Sequence, residues 1–247
     1  MTERLRQRTL PAPMVPDKKI LVIIPAFNEE ASIGGVISLV RKHAPGADIV
    51  VVNDGSSDRT GAVAEGLGVT VLNHIYNLGI GATMQTGYKY ALRRGYDIAV
   101  QVDGDGQHPA DQIIDLVRPV AEGKAEMVVG SRFLGMGEYR PSIARSAGMV
   151  FFSRLVSAII RERMTDTTSG FRAAGRSCIE FFSSRYPDDY PEVEALVLLH
   201  KKGFRVMEVP VEMAKRAGGR SSITPMKSVY YMAKVLLAIL VDLIKRA

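Results

Sequence analysis

The chain contains no tryptophan and a single cysteine, Cys178, among its 247 residues. One thiol cannot close an intrachain disulfide, which fits a reducing compartment. Long apolar runs are also missing. The run Val235–Val241 is far short of the roughly 18–20 residues that a membrane-spanning helix needs. No apolar N-terminal stretch resembles a signal peptide. Residues 1–18 carry Arg4, Arg6, Arg8, Pro11, Pro13 and Pro16 instead, and read as a mobile basic tail. Two phosphate-binding signatures are absent as well. There is no G-x-x-x-x-G-K-[ST], which excludes an NTPase P-loop. No G-x-G-x-x-G follows the first strand, which weighs against a dinucleotide fold.

What is present is apolar material for a large core and an uneven charge. Apolar residues make up 47% of the chain, and the net charge is +6. Residues 1–139 hold 14 basic and 16 acidic residues, a net of −2, whereas residues 140–247 hold 18 and 10, a net of +8. A basic second half suits phosphates, anionic lipid or nucleic acid, or simply gives a soluble basic surface.

The first half alternates strand and helix patterns. Strands are expected at Ile20–Ile24, Asp48–Val52, Val69–Leu72, Ile98–Val102 and Met127–Val129. Helical spacing covers Glu30–Lys42, Arg59–Leu67, Gly79–Arg94 and Asp111–Ala121. Such alternation predicts an α/β fold with a mainly parallel sheet, buried apolar strands and helices on both faces. The second half is less regular, with helices expected at Ala147–Arg163, Glu192–Lys202 and Pro225–Arg246 and a strand at Arg205–Val211.

Ligands of open α/β sheets gather beyond the carboxyl ends of the strands. Here those ends are conspicuously polar: PAFNEE, NDGSSDRT, NLGIGA and VDGDGQHP. In the last of these, Asp103, Asp105 and Gln107 offer hard oxygen donors suited to Mg²⁺ or Mn²⁺. A plain Asp-Gly turn is the bland alternative. Asp54 and Glu29 can accept hydrogen bonds from ribose hydroxyls or base N–H groups. Gly79 and Gly81 allow close backbone approach at a helix N-terminus. His108 reads as a cap for the helix after Pro109, and Cys178 as buried packing.

The segments PAFNEE, VVNDGSSDRTG, NLGIGATMQTGYKYA, VDGDGQHP, GSRF and TDTTSGFR occur in that order between about Lys19 and Ser222. Together they resemble the family 2 inverting glycosyltransferases of the GT-A fold, and within them the dolichol-phosphate mannose synthase-like group. The resemblance implies a Rossmann-like nucleotide-sugar domain over residues 19–222, followed by a possible membrane-interfacial helix over 223–247. It implies transfer of a sugar from a UDP- or GDP-sugar to a polyprenyl phosphate. It assigns Pro25, Glu29, Asp54, Asp58, Gly79 and Asp103 to the nucleotide. It assigns Asp103, Asp105 and Gln107 to Mn²⁺ or Mg²⁺.

For the acceptor, the resemblance points to Arg132, Arg145 and Arg216, whose guanidinium forks suit phosphate oxygens. Asp166 matches the family aspartate near the reaction centre, with a role in orienting sugar or acceptor, in base-like assistance, or merely as a cap. Glu192 and Glu194 fall on an acceptor-side helix but read as surface or cap residues. The apolar faces Phe151, Phe152, Leu155, Val156, Ile159, Ile160 and Val229, Met232, Leu236, Ile239, Leu243 suit either a membrane interface or core packing. Related enzymes often carry C-terminal spans that do not appear here. The expectation is therefore peripheral attachment at the cytoplasmic face of the membrane, directly or through a separate small membrane protein. Three alternatives stay open. One is a family 2 enzyme acting on a saccharide or protein hydroxyl. The others are non-enzymatic: a basic nucleic-acid binder, or a silent partner subunit. No nucleic-acid motif supports binding, so no nucleic-acid partner is expected, and the intact acidic cluster argues against silence.

Overall fold

The computed structural model describes residues 15–134, 143–188 and 191–213, together with Lys234 and Leu237; for residues 143–149 it describes the backbone alone. The elements run β1 (Ile20–Ala26), α1 (Ile33–His43), β2 (Asp48–Asn53), α2 (Thr60–Gly66), β3 (Thr70–Asn73), α3 (Ile80–Arg93), β4 (Ile98–Gln101), α4 (Ile113–Ala121) and β5 (Met127–Ser131). After them come α5 (Ile143–Ile160), β6 (Arg172–Gly175), α6 (Arg176–Ser184), α7 (Pro191–Lys201) and β7 (Val206–Pro210). The strands form one sheet in the order β3-β2-β1-β4-β6-β5-β7.

Strand parity divides the core. Leu21, Ile23, Val50 and Val52 face one side, where α3, α5, α6 and α7 pack. Val22, Ile24, Ile49 and Val51 face the other, against α1, α2 and α4. Side chains alternate across a strand, so a β-branched run such as ILVIIPA supplies both layers at once. Burying such a strand stabilises it by about 1.5–3 kcal/mol per large apolar side chain. Helix α3 lies close to β1 because residue 87 is glycine; a Cβ there would sit 2.5 Å from Ile23 Cγ2.

The alternating pattern of the first half is present as expected. Two elements are not foreseen by it. Strand β6 (RAAG) is inserted antiparallel between β4 and β5, with Arg172 opposite both Gln101 and Val129. It has no β-branched residue, so propensity gives no signal for it. Helix α6 follows it directly. The expectation of uniformly buried strands also fails at the edge: Thr70 and Asn73 of β3 are exposed, as an edge strand with a single neighbour allows. The face on α5 splits, with Phe152, Val156 and Ile160 in the core and Phe151 exposed. The i, i+4, i+8 spacing of the three core residues is that of a helix stripe packed inward. The terminal-helix expectation and the basic tail fall almost wholly outside the described residues.

Candidate active site

The antiparallel insertion positions the site. Every strand except β6 runs the same way, so the carboxyl ends of the other six share one edge of the sheet. Because β6 runs oppositely, its first residue, Arg172, lies at that edge, and the preceding segment TDTTSGF is delivered beside the acidic turn. Gly170 permits the approach: a Cβ there would meet Gln101 Nε2 at 2.9 Å and the Asp103 carboxylate at 3.4 Å.

The acidic turn is held from within. Gln101 Nε2 donates to Asp103 Oδ1 at 3.1 Å, and the Gln107 N–H donates to Asp105 Oδ1 at 3.0 Å. Gly106, at φ +78°, permits the reversal that brings Gln107 back to Asp105. The Asp103 side chain is 37% exposed, whereas Asp105 as a residue is 8% exposed. His108 does not cap the following helix. Its Nδ1 accepts the Asp103 N–H at 2.9 Å, and its ring packs on Phe171 with centroids 5.0 Å apart. A backbone N–H can only donate, so the neutral ring carries its proton on Nε2, which faces Asp103 Oδ2 at 3.5 Å. Among the described residues no group of three His, Cys, Asp or Glu could hold a metal ion. Two carboxylates and an amide oxygen nonetheless fit a hard cation that takes its remaining ligands from a diphosphate and water.

At the end of β2, where the resemblance leads one to expect the nucleotide, Asp54 is buried and already occupied. Its Oδ1 accepts from His74 Nδ1 at 2.7 Å and the Leu78 N–H at 2.9 Å, and its Oδ2 accepts the Gly79 N–H at 2.9 Å. Three of about four lone-pair positions are thus taken by the protein. Asp58 accepts from the Thr60 N–H and hydroxyl and from the Glu30 N–H. Partial burial works to raise its carboxyl, but those hydrogen bonds outweigh it and hold Asp58 below the ordinary carboxylate value. Glu29 takes the Ser32 hydroxyl at 2.7 Å, while its N–H donates to Thr60 Oγ1. Pro25 is buried at the end of β1. The close approach expected at Gly81 belongs to the protein itself, since a Cβ there would meet the Pro187 and Asp188 carbonyl oxygens at 2.2 Å.

On the other side, Arg132 and Asp166 form a bidentate pair. Arg132 Nε reaches Asp166 Oδ2 at 2.6 Å and Nη2 reaches Oδ1 at 2.7 Å, with the side chains 9% and 0% exposed. The Arg132 N–H and the Thr168 N–H add further donors to the same carboxylate. With each oxygen taking several donors, the Asp166 carboxylate fixes the plane of the Arg132 guanidinium. Glu208 of β7 supports the pair from behind, accepting the Asp166 N–H at 2.7 Å and the Thr165 N–H at 2.8 Å. For Arg145 the structure describes only the backbone, in α5, and Arg216 lies outside the described residues.

Three contributors were given no functional role from the sequence. Glu208 is one. Arg172 is another: it is 2% exposed and donates to the carbonyls of Ser169, Thr167 and Glu192, while its Nη1 and the neighbouring Thr167 Oγ1 have no hydrogen-bond partner. The third is Glu192, at the start of α7. Burial pushes its carboxyl above the ordinary value and the Asp103 charge adds to the rise, while Arg172 and Arg132 pull against it. Its carbonyl accepts from Arg172 Nη2 at 2.8 Å, which ties the start of α7 to the segment beside the acidic turn. The resemblance puts Glu192 on an acceptor-side helix, but an acidic residue in the first turn of a helix is ordinary cap chemistry and reads as surface or cap.

Comparison with known proteins places this arrangement. The profile described as "Glycosyl transferase family 2" matches residues 21–182, and the chain belongs to that family. It is 30% identical over 227 residues to the polyprenol monophosphomannose synthase of Mycolicibacterium smegmatis, covering 87% of this chain and 84% of that protein. It is 32% identical over 216 residues to the UDP-N-acetylglucosamine–dolichyl-phosphate N-acetylglucosaminyltransferase of Methanococcus voltae, covering 79% and 86%. In fold it is similar to glucosyl-3-phosphoglycerate synthase from Mycobacterium tuberculosis, crystallised with Mn²⁺, UDP and phosphoglyceric acid. That likeness has a TM-score of 0.68 at 22% identity and covers 92% of this chain and 78% of the other. The chain is therefore a glycosyltransferase of family 2 with the GT-A fold, and its relatives include polyprenyl-phosphate sugar transferases. Among the described residues no helix is long and apolar enough to cross a membrane.

Proposed function

We propose that this protein transfers a sugar from a UDP- or GDP-sugar to a polyprenyl phosphate, with inversion at the anomeric carbon. The observation that carries this reading is the delivery of the segment 165–171, whose Asp166 pairs with Arg132, beside the acidic turn, where a Cβ on Gly170 would stand 3.4 Å from the Asp103 carboxylate. Asp103, Asp105 and Gln107 would hold Mn²⁺ or Mg²⁺, whose chemistry is to neutralise charge on the departing nucleoside diphosphate. Pro25, Glu29, Asp58 and Gly79 shape the nucleoside end. Arg132, fixed in plane by Asp166, supplies positive charge on the acceptor side, and the family resemblance assigns Arg145 and Arg216 to the same acceptor phosphate.

A polyprenyl phosphate is already an anionic nucleophile. It needs cationic positioning rather than deprotonation, and Asp166, whose oxygens are taken up by donors, fits that need. The lipid acceptor implies peripheral attachment at the cytoplasmic membrane face, directly or through a separate small membrane protein. A second reading is supported by Glu192. A half-buried carboxyl held above its ordinary pKa is the type of group that serves as a general base for a hydroxyl acceptor. Incubating UDP- and GDP-sugars with undecaprenyl and dolichyl phosphates, and detecting products by mass spectrometry, tests the proposal. A sugar-loaded prenyl phosphate is the expected product. Transfer confined to saccharide or protein hydroxyls would move the reading to the Glu192 alternative.

A further inference from the structure

His74 bridges three elements at the nucleotide end of the sheet. Its Nδ1 contacts Asp54 Oδ1 at 2.7 Å and its Nε2 contacts Thr86 Oγ1 at 2.9 Å, on α3. The side chains of His74 and Asp54 are 11% and 5% exposed. The carboxylate accepts, so Nδ1 carries the proton and the Thr86 hydroxyl serves Nε2, the opposite tautomer to His108. Asp54 in turn holds the Leu78 and Gly79 N–H groups.

The loop these groups hold has little else to fix it. Ile75, Tyr76 and Leu78 are 86%, 74% and 60% exposed, so the loop gains almost nothing from apolar burial. Its backbone is nevertheless packed tightly against the β2–α2 turn: a Cβ on Gly55 would meet the Tyr76 carbonyl carbon at 2.5 Å. A loop shaped so closely without a hydrophobic anchor depends on its polar latch.

We infer that His74 is a positioning residue for nucleotide-sugar binding, which holds Asp54 and through it the Leu78–Gly79 backbone, so that residues 74–79 stand as a preshaped wall of the nucleotide site. This rests on the nucleotide reading above and deepens it. Asp54 then acts through the latch, because its carboxylate is spent on the protein, and not chiefly by touching the nucleoside. A wall ordered before binding spares the ligand the cost of ordering it.

The test is calorimetric affinity for UDP and GDP with MnCl₂, paired with steady-state kinetics. His74→Ala should weaken the preferred nucleotide about tenfold and raise the donor KM alike, with kcat within about threefold, as loss of a charge-assisted hydrogen bond predicts. His74→Asn should recover most of the affinity, because its amide N–H replaces Nδ1–H toward Asp54. His74→Gln, whose amide takes the place of Nε2, should not. The pair His74→Ala with Asp54→Ala should bind no more weakly than Asp54→Ala alone. Equal affinities for wild type and His74→Ala would overturn the inference, as would additive losses in the double variant. Should His74→Ala fail to fold, equal affinities for the asparagine and glutamine variants would overturn it instead. If the wild-type protein binds neither nucleotide, the functional reading itself falls and takes the inference with it; normal wild-type binding with an indifferent His74 defeats the inference alone.

Discussion

Replacing Asp166 by asparagine removes one charge from a buried bidentate pair and leaves Arg132 without its counter-ion. The two bonds are 2.6 and 2.7 Å long, and the side chains are 9% and 0% exposed. Water can offer little compensation at such a site. Stranding one member of a buried pair costs about 3–5 kcal/mol. Asparagine keeps one acceptor oxygen, so the lower end applies, about 3 kcal/mol. For a chain of this size each kcal/mol shifts the melting temperature by roughly 2–4 °C, giving a fall of about 6–12 °C. Differential scanning calorimetry measures it directly. The variant Arg132→Met with Asp166→Leu removes both charges, and replacing a buried pair by apolar groups of similar volume is often neutral or stabilising. It should therefore melt well above Asp166→Asn while transferring no sugar. An Asp166→Asn protein melting within about 1 °C of wild type would refute the reasoning, as would a double variant no more stable than the single one.

Asp105→Ala should lose Mn²⁺ binding in calorimetry and most turnover, with the circular dichroism spectrum unchanged; full activity of the variant, or of wild type in excess chelator, contradicts the metal assignment. Glu192→Gln should change the pH dependence of stability. Its folded pKa is raised, so the folded state holds the proton more tightly than the unfolded chain. The resulting stabilisation is present below the ordinary value of 4.5 and is lost as pH rises through the folded pKa. The glutamine variant should thus be more stable than wild type at neutral pH, and a loss of stability there would contradict the buried-carboxyl account. Vesicles containing anionic lipid should sediment the protein at low salt and release it at high salt; recruitment that ignores salt would speak against a basic contact surface.

Continuous apolar strands such as β1 and β2 were legible because burial on both faces leaves one kind of side chain at every position. Strand β6 was not, because two alanines and a glycine reveal nothing until β4 and β5 flank them. The same limit applied to the site. Asp103, Asp105 and Gln107 stand together in sequence and were found together. Asp54 was read as a group facing ligand, yet its donors come from residues 20 to 25 positions away, a contact that no local pattern announces. Glu208 and Asp166 meet across 42 positions through the β5–β7 pairing. Arg145 lies in α5 with only its backbone described, and Arg216 lies outside the described residues, so their expected convergence with Arg132 stands as part of the proposal.

The most direct test of the central claim compares two acceptors that differ only in the phosphate: a polyprenyl phosphate and the corresponding free polyprenol. Each is presented in the same vesicles with the same nucleotide sugar and Mn²⁺, and the lipid product is measured by mass spectrometry. The account predicts transfer to the phosphate and none to the alcohol, because the acceptor side of the site offers the Arg132 guanidinium and an Asp166 taken up by donors. Equal or faster transfer to the alcohol would contradict it.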